Sequence, residues 1–197
     1  MKNKTTLLIA SNNAHKIAEI KQILNGCFDK IISLKEADIN CDPEETGETF
    51  YENALIKANA VAGSARDCAV LADDTGLCVN ALNGEPGVYS ARYGGNHDSA
   101  KNRKKLLEDL QQKSDRSAYF QTAVVLRYPD GTLFAADGRV DGRILEAETG
   151  DNGFGYDCIF FCDELGKSFG NASEAEKNAV SHRSRALRNL LNKLKDN

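Results

Sequence analysis

Asp73 and Asp74 stand side by side at the end of a short apolar run, residues 69–72, and Thr75-Gly76 follows them. Adjacent carboxylates repel each other and are costly to bury unpaired. A divalent cation resolves that conflict, and hard oxygen ligands select magnesium or manganese. Neighbouring strand residues point to opposite faces. One carboxylate could therefore hold metal while the other orients or deprotonates a water. The plain alternative is an exposed Asp-Asp turn. A second acidic pair, Glu44-Glu45, lies in the polar segment 38–47. It reads as a solvated loop or as a further source of metal ligands.

Ser11-Asn12-Asn13-Ala14-His15-Lys16 joins an apolar run to a stretch with helical spacing. A strand feeding a polar turn and a helix presents free N–H groups and a positive dipole end, where anions bind. Lys16 falls in the first turn of that helix, beside partial charge of its own sign, and a bound phosphate would relieve the conflict. An ordinary N-cap with an exposed lysine is the alternative. The turn is not a P-loop, because G-x-x-x-x-G-K-[ST] does not occur. Near the other end, Ser181 reads as an N-cap with His182 and Arg183 in the first turn and Lys177 ahead of it. A lone histidine is more often structural. In Gly153-Phe154-Gly155-Tyr156-Asp157 the glycines permit close approach to a ligand, and the aromatic can stack on a base. The alternative is a bend with Phe154 in the core. As a set, these features suit a metal-bound nucleoside polyphosphate. No H-E-x-x-H, Ser-His-Asp order or dinucleotide fingerprint competes.

Composition narrows the classes further. No apolar stretch is long enough to span a bilayer, and residues 5–10 are too short for a secretory core, so a cytoplasmic location and no membrane contact are expected. The net charge of −4 and scattered cations argue against a nucleic-acid partner. The basic run 101–105 reads as a solvated helix face. The six cysteines form no C-x-x-C pair, which fits reduced, buried thiols better than disulfides or a zinc site.

The elements that must position these groups follow from periodicity. A strand over 5–10 leads into a helix carrying Ile17, Ile20, Ile23 and Leu24, closed by Gly26. A strand over 31–34 precedes the acidic loop. Thr49 with Glu52 forms a capping box for a helix running to about Ala65. The strand 69–72 ends at the aspartate pair, and 77–82 resumes an apolar pattern before the turn Asn83-Gly84-Glu85-Pro86-Gly87. A helix over 100–110 turns Leu106, Leu107 and Leu110 inward. Residues 119–128 and 132–144 form a hairpin about Pro129-Asp130-Gly131. A strand over 158–162 follows the glycine loop, and a last helix over 181–195 carries Ala186, Leu187, Leu190, Leu191 and Leu194 on one face. Intermixed strands and helices with a hairpin predict an α/β fold with a mixed sheet, organised as a single domain over 1–197 with two lobes.

These motifs, in order along nearly the whole chain, resemble the inosine triphosphate pyrophosphatase family, whose members include dITP/XTP pyrophosphatases. The resemblance rests on residues 10–16 with Glu19, Glu44-Glu45-Thr46-Gly47 leading into Thr49-Phe50-Tyr51-Glu52-Asn53-Ala54, and residues 72–77. It continues through Pro86-Gly87-Val88-Tyr89-Ser90-Ala91-Arg92-Tyr93, residues 153–157, and Ser181-His182-Arg183 with Lys177. It implies hydrolysis of ITP, dITP and XTP to the monophosphate and pyrophosphate. It also implies an elongated two-lobed fold with a central mixed sheet flanked by helices, an active-site cleft between the lobes, and a homodimer. By the same resemblance Ser11, Asn12, Asn13, Ala14, His15 and Lys16 bind the triphosphate. Asp74 is the catalytic carboxylate and a Mg2+ ligand, with Glu44 as the second ligand. Thr75, Phe154, Gly155, Tyr156, Asp157, Lys177, His182 and Arg183 contact substrate. Many relatives have serine at Thr75 and glycine at Asn12; the first change keeps a hydroxyl, and the second bears on the conformation of the turn. A Maf-type pyrophosphatase of pyrimidine nucleotides, or a nucleotide-binding module without turnover, are the alternatives.

Overall fold

The computed structural model describes residues 3–95 and 97–196. Met1, Lys2, Asn96 and Asn197 lie outside it. In chain order the principal elements are β1 (Asn3–Ile9), α1 (Ala14–Ile23), β2 (Phe28–Ser33), α2 (Phe50–Ala62), β3 (Cys68–Val79), α3 (Ser99–Asp109), β4 (Ser117–Arg127), β5 (Leu133–Ile144), β6 (Phe160–Cys162), β7 (Lys167–Ser168), α4 (Glu174–Val180) and α5 (His182–Lys195). The strands form one sheet in the order β2-β1-β3-β4-β5-β6-β7. β1 runs parallel to β2 and β3, whereas β5, β6 and β7 pair antiparallel. The sheet is therefore mixed, as the hairpin and the strand–helix alternation predicted.

The chain divides into two compact units. The first comprises Met1–Asp74, Thr122–Gly138 and Arg183–Asn197, and the second Thr75–Gln121 and Arg139–His182. In the first unit β1 and β3 are covered on both faces, so they read as continuous apolar runs. Leu7, Ile9, Ala69 and Leu71 pack with Ile20 and Leu24 and with Ala186, Leu187 and Leu190 of α5. Leu8, Ala10, Val70 and Ala72 pack on the opposite side with Ala54, Ala58 and Val61 of α2. The period-two alternation of β3 thus assigns odd residues to α1 and α5 and even residues to α2. The second unit is centred on Phe120, Phe160 and Phe169, with ring centroids 4.7 Å apart for the first two and 5.2 Å for the last two. Leu106 and Leu110 join that core.

Local signals placed most elements. The capping box is formed in full: Thr49 Oγ1 accepts from Glu52 N at 3.2 Å, and Glu52 Oε2 accepts from Thr49 N at 3.0 Å. Three expectations are corrected, and one helix is added. β3 does not end at the aspartates but runs through them without a break; the buried carboxylates meet cations from distant helices, so no turn is needed to expose them. α1 is capped at Leu24, and Gly26 follows with a positive φ. Residues 157–159 form a single 3-10 turn, which shortens the strand predicted over 158–162 to Phe160–Cys162. Lys177 does precede α5, and it lies in the last turn of a further helix, α4, which Ser173 and Glu176 start with a second capping box. All six cysteines are free, with Cys78 and Cys162 buried. Among the described residues no helix is long and apolar enough to cross a membrane.

Candidate active site

In the first unit the turn before α1 is built by its own side chains. Asn13 Oδ1 caps the helix by accepting from His15 N at 3.0 Å and Lys16 N at 3.2 Å, and Ser11 Oγ accepts from Asn13 N at 3.2 Å. Asn12 Nδ2 donates to Cys41 O at 3.1 Å and fastens the turn to the acidic loop. Residues 12–15 are exposed. Lys16 turns inward, and its Nζ lies 3.1 Å from Asp73 Oδ2. Arg183 approaches the same oxygen through Nε and Nη2, each at 3.3 Å, and pairs through Nη1 with Glu19. Asp73 and Arg183 are both buried. The charge conflict expected of Lys16 is thus met by a carboxylate of β3.

Asp74, one residue on, faces α2. Its Oδ1 accepts from Lys57 Nζ at 2.8 Å, and the same ammonium donates to Glu45 Oε1 at 2.9 Å. Asn53 Nδ2 lies 3.5 Å from Asp74 Oδ2, while its Oδ1 accepts from Gly47 N at 2.8 Å. Gly47 is required there, because a Cβ would come within 2.6 Å of Glu52 Cβ. This contact brings the acidic loop to the aspartate, and it delivers Glu45; Glu44 is exposed. Asn53 closes on the loop from within the family motif 49–54, but no role was assigned to it, and Lys57 lies outside any motif. Their shared signal is position: with Val61 they lie on the buried stripe of α2 at i, i+4, i+8 spacing, where a lysine is out of place.

The two aspartates are electrostatically unlike. Burial disfavours the Asp73 carboxylate, but Lys16, Arg183 and Lys57 outweigh it and hold the group well below the usual carboxylate range. Burial raises Asp74, and Lys57 and Lys16 offset this only in part. Lys16 is lowered by burial, opposed by Asp73 and reinforced by Lys57 and Arg183. Burial also disfavours the Lys57 ammonium, yet Asp74, Asp73 and Glu45 together raise it.

In the second unit the glycine loop presents Phe154 half-buried rather than in the core. Asp157 Oδ2 accepts from Phe154 N and from Lys177 Nζ, both at 2.7 Å. Lys177 Nζ sits 4.7 Å from the Phe154 ring centroid and 5.7 Å from that of Phe169. Gly153 has φ +76, and a Cβ there would strike the Asp157 carboxylate. Tyr156 Oη donates to Ser90 O at 2.8 Å, and Arg103 Nη1 donates to Gly155 O at 2.8 Å. His182 is buried and stacks on Phe120 at 4.7 Å. Thr75 is half-buried in β3. Sequence reasoning missed Arg103, which sits in a basic run that looks like a solvated helix face.

Two carboxylates sharing one ammonium, beside a helix N-terminus and a second buried lysine, can hold a cation and phosphate oxygens. A half-buried aromatic backed by a lysine can hold a base. The chain matches known proteins in sequence and fold. A profile of the Ham1 family matches residues 7–193. A dITP/XTP pyrophosphatase of Clostridium perfringens is 47% identical over 196 residues, which cover 95% of this chain and 96% of that protein. One of Leuconostoc mesenteroides is 46% identical, covering 95% and 96%. The solved Ham1 protein of Staphylococcus aureus superposes with a TM-score of 0.86 at 41% identity, covering 97% of this chain and 98% of that one. Matched in sequence from end to end and in fold, the chain belongs to the Ham1 family.

Proposed function

We propose that the chain is a magnesium-dependent nucleoside triphosphate pyrophosphohydrolase that converts ITP, dITP and XTP to the monophosphate and pyrophosphate. The chemistry rests on one observation, the opposite treatment of two adjacent carboxylates. Asp73 is locked as an anion between Lys16 and Arg183 and is a poor proton acceptor. Asp74 is raised and shares Lys57 with Glu45. The purine preference comes from the relatives, which are named dITP/XTP pyrophosphatases.

The residues present fit a magnesium ion. Asp74 and Glu45 converge on the Lys57 ammonium at 2.8 and 2.9 Å, so two carboxylates already face one cationic position. A pair of carboxylates suits magnesium, which takes one or two of them and completes its shell with water and substrate phosphates. Glu45 fits the second ligand position better than the exposed Glu44. Bound there, the ion would offset phosphate charge and lower the pKa of water.

The chain's own groups do the rest. Asp74 accepts the proton of the water that attacks the α-phosphorus. Lys16, Lys57 and the α1 N-terminus, with the turn from Ser11 to His15, hold phosphate oxygens; polyphosphate charge also restores the Lys16 proton that burial loosens. Arg183 acts through Asp73 rather than on substrate. In the second unit Phe154 stacks on the base, and Lys177 and His182 supply donors to its edge, where a 6-keto purine accepts and adenine donates. Gly155, Tyr156 and Asp157 shape that loop, and Thr75 offers its hydroxyl next to Asp74. A cytoplasmic homodimer acting as one domain over 1–197 completes the proposal, with sedimentation as the test of the dimer.

The deciding experiment presents ITP, XTP, ATP, UTP and dTTP with magnesium and assays pyrophosphate. Release from ITP and XTP in preference to the others is expected. Preference for UTP or dTTP indicates a Maf-type enzyme, and bound but intact ITP indicates a binding module.

A further inference from the structure

We infer that Arg103 is a positioning residue that holds Phe154 ready for the base, a role that rests on the base-stacking assignment above. The segment 149–158 closes on itself: Thr149 N donates to Cys158 O at 2.8 Å, and Asn152 N donates to Gly170 O at 2.9 Å. Its tip, residues 153–156, keeps one backbone bond, Asp157 N to Phe154 O at 3.1 Å, and side chains add the remaining pins. Asp157 fixes one side through Phe154 N. Arg103 fixes the other through Gly155 O, on the Gly155–Tyr156 peptide one residue beyond Phe154. With φ of +76 at Gly153 and +63 at Gly155, the backbone on either side of Phe154 is conformationally permissive. Without both pins the ring would sample many orientations, and base binding would bear the cost of ordering it.

The guanidinium suits this task. Nη1 donates to the loop, while Nε and Nη2 form a fork with Glu148 at 2.7 and 3.3 Å. The fork fixes the plane of the guanidinium, which aims Nη1. Arg103 stands on α3, itself anchored by Asn102: Oδ1 accepts from Gly94 N at 2.7 Å and Gly95 N at 3.0 Å, and Nδ2 donates to Ala91 O at 3.0 Å. Since Glu148 is half-exposed at 51%, the ion pair adds little to global stability. Its effect is local order in the loop.

The test uses two readouts. Loss of a hydrogen bond to a charged donor predicts that Arg103→Met raises KM for ITP about tenfold while kcat stays within about twofold. Arg103→Lys restores part of the loss, and Glu148→Gln gives a smaller rise of about threefold, because Arg103 keeps the loop carbonyl but loses its aim. The second readout is physical. The chain has no tryptophan, so Phe154→Trp introduces a single reporter. In the unliganded protein its anisotropy decay should gain a fast component when Arg103→Met is added, and quenching by inosine monophosphate should require about tenfold more nucleotide. An unchanged anisotropy decay, or a fall in kcat with KM unmoved, overturns the clamp. Absence of any quenching in Phe154→Trp with Arg103 intact overturns the base-stacking assignment alone, and the anisotropy comparison still decides the clamp.

Discussion

The first unit surrounds two adjacent carboxylates with Lys16, Lys57 and Arg183, whereas the second sets one lysine between Asp157 and the rings of Phe154 and Phe169. Both bury ammonium groups against carboxylates, but the surroundings differ in kind. Dense charge in the first makes neighbouring groups titrate apart, so Asp73 falls and Asp74 rises. Aromatic surfaces in the second make a place where apolar area and a positive charge coincide. Under the proposed function the contrast becomes a division of labour: proton and phosphate chemistry is assigned to the charged cluster, and recognition of a flat heteroaromatic ring to the other.

Breaking the charged cluster should have the largest effect. Asp74→Asn is expected to lower kcat by about 10³-fold, the scale of a positioned general base, with the circular dichroism spectrum unchanged. Asp73→Asn should instead destabilise the fold by about 3–5 kcal/mol, because it leaves Lys16 and the fully buried Arg183 with one carboxylate fewer; urea denaturation measures this. If Asp73→Asn were as stable as the parent and merely inactive, the assignment of the two aspartates would be reversed.

Phe154→Ala sharpens the contrast from the other side. It should raise KM for ITP about tenfold, the value of one base–aromatic stack, and leave kcat at saturation near the parent. The smallest effect expected is a displaced carboxyl titration in the metal-free protein. Raised by burial, Asp74 there takes up its proton at a pH above the ordinary 3.8. Lys57 lowers Asp74, so Lys57→Met should move that titration, followed by carbon-13 NMR without magnesium, to higher pH, whereas Phe154→Ala should leave it in place. A titration that moves with Phe154 instead of Lys57 would dissolve the division of labour.

Much of this arrangement was legible in the chain itself because its signals are local. The Thr49–Glu52 box, the hairpin about residues 129–131 and the Asn13 cap each depend on neighbours within one turn. Period-two alternation was enough to send Asp73 and Asp74 to opposite faces. What it could not show was the company each would find there. Lys16 and Arg183 reach Asp73 from opposite ends of the chain, and without them a break in β3 was the economical expectation. Glu45 rather than Glu44 meets Lys57 because Asn53 grips Gly47, a tertiary contact. Nor could the pairing of Arg183 with Asp73 and Glu19 be read from the chain, since the three lie far apart in sequence. α4 was not anticipated, because seven residues give too little periodicity to announce a helix.

The most direct test of the central claim is the phosphorus-31 spectrum of ITP consumed by the magnesium-loaded protein and by its Asp74→Asn variant. Inosine monophosphate and pyrophosphate from the parent, with unconverted ITP in the variant, is the predicted result. Orthophosphate released from the γ position, or the same products from both proteins, would contradict it.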